Sequence, residues 1–196
     1  MKTLLNLIHQ YRILSVLIFS LLMSACVTVI DATSEAPIQT DPSKRSFGGY
    51  IDDKQLQTIV AVNLKKASPE LDEAHINTHS YNSVILLTGE VPSSELRELA
   101  GTTARQISRV RQVYNELTIG AKSSFSDRAN DNWIHSKIRT KLLLNRDINS
   151  GRVEIIVENG VVYLMGLLTQ VQTEKVTDVV RTTKGVKKVV RTIEYI

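Results

Sequence analysis

A single cysteine among 196 residues, Cys26, excludes a disulfide within the chain. The four histidines give no metal motif, because no further cysteine and no clear carboxylate cluster accompanies them. His75 and His79 are spaced i, i+4 but flank a predicted strand start, where we expect no shared face, and His135 reads as a surface or rim residue of a helix. No nucleophile elbow, phosphate-binding loop or plausible triad is present, so no catalytic residue, no cofactor and no enzymatic activity is expected. Long apolar runs are lacking as well. The stretch from Ile13 to Met23, broken by Ser15 and Ser20, is too short to span a bilayer with stop-transfer flanks. Behind Lys2 and Arg12 it reads as a secretory signal over residues 1–25.

That run ends in Met23-Ser24-Ala25-Cys26, which resembles a bacterial lipobox with Met where Leu is commonest. The resemblance implies that Cys26 is lipidated and becomes the mature N-terminus, anchored by acyl chains that contribute roughly 0.8 kcal/mol per buried CH₂. Val27 after the cysteine implies sorting to the outer membrane. Residues 26–47 are rich in Ser, Thr, Asp and Pro and are expected to form a flexible tether.

What the chain has in place of these features is a repeat. Val84-Ile85-Leu86-Leu87-Thr88-Gly89 aligns with Val161-Val162-Tyr163-Leu164-Met165-Gly166, and Val110-Arg111-Gln112-Val113 aligns with Val186-Lys187-Lys188-Val189. Two domains over residues 48–119 and 126–196 are expected, joined by a linker over residues 120–125 short enough for them to pack together. Packing would help both, since each is near the lower size limit for a self-sufficient core. The overall charge of +4 is uneven. Residues 48–121 carry 7 Lys/Arg against 9 Asp/Glu, whereas residues 126–196 carry 12 against 8, so the second copy is better suited to an anionic surface.

Each copy reads as helix, strand, strand, helix, strand. Leu56, Val60 and Leu64 in the first copy, and Ile134, Ile138 and Leu142 in the second, mark one apolar ridge of the first helix. Asn159-Gly160 between β-branched runs predicts a hairpin, and Tyr81-Asn82-Ser83 is a weaker counterpart. Thr169 and Gln172 have capping-box spacing for the second helix, while Pro92 and Ser93 or Ser94 start its equivalent. Gly185 suits a helix stop, and Arg109 in its place suggests a different ending in the first copy. A crossover through the second helix makes the last strand parallel to its predecessor. The expected fold class is α+β: two tandem αββαβ domains, each a small three-stranded mixed sheet with two helices packed on one face and solvent on the other.

The glycine after the second strand and the ending Gly185-Val186-Lys187-Lys188-Val189 resemble the BON domain of bacterial periplasmic and surface proteins. Two such domains behind a lipobox resemble the dual BON-domain outer-membrane lipoprotein family. This resemblance implies a protein on the periplasmic face of the outer membrane, enriched at the division septum. It also implies binding of an anionic phospholipid such as phosphatidylglycerol and support of envelope integrity. Secretion argues against nucleic acid as a partner. The alternative is an adaptor for envelope assembly or cell-wall remodelling machinery, with Trp133 as an interface anchor for protein partners in the envelope.

With the ridge of Ile134 buried, a helix turning about 100° per residue places Trp133, Lys137, Thr140 and Leu144 on a second ridge, with Lys141 between the two. An indole beside ammonium groups suits the headgroup layer of an anionic membrane. The family's lipid-binding surface lies on this helix, and Trp133 matches a residue in it. The first copy has Gln55, Ile59, Val62 and Lys66 at these positions, so the Trp and central lysines are particular to the second. Ile59 and Val62 are a candidate contact of the first domain with the second. Lys184, Lys187, Lys188 and Arg191 form a basic cluster that could assist membrane binding.

Overall fold

The computed structural model describes residues 45–196. The signal segment, Cys26 and the tether up to residue 44 lie outside the described residues.

The first repeat runs α1 (Phe47–Ala67), α2 (Pro69–Glu73), β1 (His75–Tyr81), β2 (Val84–Val91), α3 (Ser94–Arg105), β3 (Gln112–Asn115) and β4 (Thr118–Ile119). The second runs α4 (Phe125–Leu144), a short 3₁₀ turn (Ser150–Arg152), β5 (Val153–Glu158), β6 (Val161–Leu168), α5 (Gln170–Arg181) and β7 (Lys188–Tyr195). In each sheet the first two strands are antiparallel and the last is parallel to the middle one. The fold class read from the sequence is the one observed, with one interruption. The last strand of the first repeat breaks at Glu116–Leu117, where Leu117 turns into the core, before β4 resumes pairing with β2.

Helix ends follow local chemistry. Ser46, Ser93, Ser124 and Thr169 each accept a backbone N–H of the first turn, and Ser124 and Thr169 complete capping boxes with Asp127 and Gln172. The expected ridges are buried in separate cores, Leu56, Val60 and Leu64 in one, and Ile134, Ile138 and Leu142 in the other.

Both hairpin turns have two central residues at positive φ: Asn82 (52°) and Ser83 (63°), then Asn159 (52°) and Gly160 (78°). A buried aspartate on each first helix holds its turn. Asp53 accepts from Asn82 N (2.8 Å), Ser83 N (2.9 Å) and Ser80 Oγ (2.8 Å). Asp131 accepts from Asn159 N (2.6 Å) and Gly160 N (2.8 Å). Arg109, at φ 77°, takes the left-handed role that Gly185 (φ 104°) has in the second copy, so the two helix endings are alike in backbone despite the substitution.

Gly89 and Gly166 do not close the middle strands, which run two residues further. They make room for the neighbouring strand: a Cβ on Gly89 would stand 1.9 Å from the carbonyl oxygen of His75, and one on Gly166 2.4 Å from that of Arg152.

The solvent expected on the second face of each sheet is replaced by the other sheet. Tyr81, Val84 and Leu86 pack against Ile156, Tyr163, Met165 and Leu167 in a third apolar cluster, with Tyr114 and Val190 at its margin. Every residue of β2 is buried as a result, and all but the first of β6. Each middle strand has helices on one side and the partner sheet on the other, which is why residues 84–87 and Val161–Leu168 are apolar runs instead of alternating ones. Ile59 and Val62 are not the contact between domains; both are exposed on α1.

Candidate functional site

Around α4 the expected residues come together on one exposed face. Trp133 is 54% exposed, so the first domain does not cover it. The ammonium of Lys137 lies 2.9 Å from the centroid of the indole, a cation–π contact, and also donates to the carbonyl of Lys184 (3.3 Å). Partial desolvation lowers the pKa of Lys137, and the positive charges of Lys184 and Lys141 lower it further. Lys141 donates to the carbonyl of Thr182 (3.5 Å), and Thr140 donates back to Ser136 O (2.9 Å). Leu144, at the end of the helix, is 78% exposed.

The structure adds residues that helical periodicity did not pick out. The turn after α5 brings Lys184 beside Lys137, so one lysine of the carboxy-terminal basic cluster belongs to the same surface. Phe125 and Leu143 are exposed at opposite ends of α4. At about 100° per residue they share one angle, to one side of the Trp133 ridge. Phe125 was hidden in sequence by lying at the helix boundary, and Leu143 by adjoining Leu144. Arg128 and Arg139 point elsewhere and donate to the carbonyls of Ser123 (2.6 Å) and Ser150 (3.4 Å).

A second polar region lies between the sheets. His75 and His79 both belong to β1, where alternation places residues two and four apart on one face, so they do share a face, turned with Asn77 and Tyr81 toward the second domain. The earlier expectation failed because the strand begins at His75 itself. Burial pushes the His79 imidazole down to about 4, and Lys54 adds to the effect. Its Nε2 has no hydrogen-bond partner among the described residues. Because this folded-state value lies below the ordinary 6.5, unfolding takes up a proton between these pH values, and the contribution of neutral His79 is lost as pH falls through that window. His79→Leu is therefore expected to flatten the fall in stability between pH 6.5 and 4, read by urea denaturation at stepped pH; an unchanged slope would refute it.

The BON domain model matches residues 52–121 and again residues 130–196. The outer membrane lipoprotein DolP of Haemophilus influenzae is 32% identical over 179 residues, covering 90% of this chain and 92% of that one. A 21 kDa hemolysin of Actinobacillus pleuropneumoniae is 37% identical over 152 residues, 78% of each chain. The osmotically-inducible protein Y of Escherichia coli is 26% identical over 154 residues, covering 77% of this chain and 76% of its own. With both repeats matched and a relative aligned along nearly its whole length, the chain belongs to the BON domain family and carries the domain twice.

Proposed function

We propose that this is a non-enzymatic, lipid-anchored protein of the outer membrane, facing the periplasm, whose second domain docks on anionic phospholipid through α4. The observation that carries the reading is the exposed Trp133 with the Lys137 ammonium over its ring and Lys141 and Lys184 close by. The indole can settle among headgroups, Leu144 can enter the acyl boundary, and each basic group near an anionic leaflet contributes about 1 kcal/mol. Thr140 adds a hydroxyl to the same ridge. Acylated Cys26 would hold the chain at the membrane, and the docking face would then select where on it the protein gathers, with the division septum as the favoured place and support of the envelope as the consequence. The relative whose name describes an outer membrane lipoprotein supports this setting.

The test uses soluble residues 27–196 and vesicles with and without phosphatidylglycerol. Binding is expected only with the anionic lipid and is expected to weaken at least about tenfold in Lys137→Glu, where a favourable charge is exchanged for an opposed one at about 1 kcal/mol each, and in Trp133→Glu, where the indole is lost and an opposed charge gained. No binding by the folded wild-type chain would sink the lipid reading.

A second reading, an adaptor, takes α1 in place of the Trp133 anchor. Phe47, Ile51, Ile59 and Val62 are exposed along one side of α1, the face that in α4 carries Trp133. An envelope protein could seat on that apolar stripe. Retention of a partner by the wild-type chain, lost in Ile59→Glu but not in Trp133→Glu, would support it.

A further inference from the structure

Three side chains from both domains converge at the edge of the sheet-to-sheet contact. His75 and Glu90 are register partners on β1 and β2, and Glu158 ends β5 of the second domain. His75 Nδ1 stands 2.9 Å from Glu90 Oε2 and 3.9 Å from Glu158 Oε1, and the three ligand atoms all lie within 4.8 Å of one another. We propose that His75, Glu90 and Glu158 form a site for one divalent transition-metal ion of the Zn²⁺ class, which clips the first domain to the second.

The spacing suits such an ion. Imidazole nitrogen and carboxylate oxygen bind zinc at about 2.0–2.2 Å in a tetrahedral arrangement, which sets neighbouring donors roughly 3.3 Å apart. The two observed separations bracket that value. All three residues stand on paired strands, so little rearrangement is needed. One nitrogen with two carboxylates favours zinc over calcium or magnesium, which take oxygen ligands.

Charge argues in the same direction. Glu90 is 4% exposed and Glu158 8%. Glu90 is hydrogen-bonded to Asn159, His75 and Ser123, and Glu158 to Asn77 and Thr88. Among these neighbours only His75 can carry a positive charge. Two buried carboxylates facing one imidazole leave negative charge poorly compensated, which a divalent cation would offset.

The surroundings have the character of a supporting shell. Asn77 Nδ2 (2.9 Å) and Thr88 Oγ1 (3.2 Å) donate to Glu158 Oε2, and Asn159 Nδ2 donates to Glu90 Oε1. These bonds leave the opposite oxygens directed at His75, although Ser123 N also donates to Glu90 Oε2 (3.1 Å). Asn77 Nδ2 is 3.3 Å from His75 Nε2. With a metal on Nδ1 the proton moves to Nε2; Asn77 keeps its donor on Glu158, and the partly exposed imidazole offers that N–H to water. Glu90 also borders a surface cleft lined by Glu70, Glu73 and Lys122, whose charge is negative on balance.

The test is equilibrium dialysis of the full chain in detergent micelles, stripped with chelator, against Zn²⁺. One ion per chain is expected, with affinity falling at least about tenfold in Glu90→Gln and in Glu158→Gln, while His135→Gln, outside the cluster, binds as the wild type does. Zn²⁺ is also expected to raise the melting temperature of the wild type more than that of either Gln variant. Absence of stoichiometric binding by the folded wild type overturns the proposal whatever the variants do. So does undiminished binding when both glutamates are replaced.

Discussion

Met165→Glu will cost roughly 3–5 kcal/mol and separate the unfolding of the two domains. Met165 has no exposed surface and sits where the sheets meet, among Tyr163, Leu167, Ile156 and the first domain's Leu86. A carboxylate there has no cationic partner within the apolar cluster, and burying an unpaired charge carries a penalty of that size. The domain cores on the helix sides of the sheets lie elsewhere and keep their own residues. We therefore expect urea denaturation to show two transitions in the variant, with both domains less stable than when packed together. Leu144→Glu, at a position 78% exposed, serves as the comparison and should change stability by no more than about 0.5 kcal/mol. A single cooperative transition at the wild-type midpoint in Met165→Glu would show that the sheet-to-sheet contact does not couple the domains.

Asp53→Ala is expected to destabilise the first domain by about 3 kcal/mol. The carboxylate accepts from two backbone N–H groups of the hairpin turn and from Ser80, while Arg45 lies 3.2 Å away. Hydrogen bonds to a charged group contribute about 1.5–3 kcal/mol each, are not additive, and leave buried donors unpaired when the acceptor is removed. The turn depends on them because Asn82 and Ser83 both hold positive φ, a region that costs a non-glycine residue roughly 1–2 kcal/mol. Asp131→Ala in the second domain should cost less. Its turn is Asn159-Gly160, a pair that adopts this geometry readily without help. Denaturation of both variants would check the order. A loss below 1 kcal/mol for Asp53→Ala, or the reverse ranking, would overturn the assignment of these aspartates as turn holders.

These two aspartates mark a limit of pattern reading. Asp53 and Asp131 each stand three residues before the first ridge residue, Leu56 or Ile134, on the buried side of the helix. Comparing the repeats would have found them, since both copies keep Asp at the same offset. Periodicity does not pick them out, because it counts apolar residues and a charged residue on a helix is ordinarily solvated. Arg109 is the converse case. Its sequence suggested a new helix ending, whereas the backbone kept the old one and placed a non-glycine residue at φ 77°.

The local elements were legible in the residues because their causes are local. Ridge spacing places one side of each first helix in a core, Thr169 begins a helix through its own hydroxyl, and Asn159-Gly160 turns a chain within two residues. The repeat then doubled every inference, and the Trp133 ridge followed from a helical wheel that needs no partner to be drawn. What covers the second face of each sheet was decided only by the tertiary structure. A continuous apolar run such as Val161 to Leu168 reports that both faces are buried, but not against what. His75, Glu90 and Glu158 met for the same reason, as did Lys137 and Lys184. Periodicity records how one segment divides between core and surface, while contacts between distant segments depend on how two folded surfaces fit, a property no single segment contains.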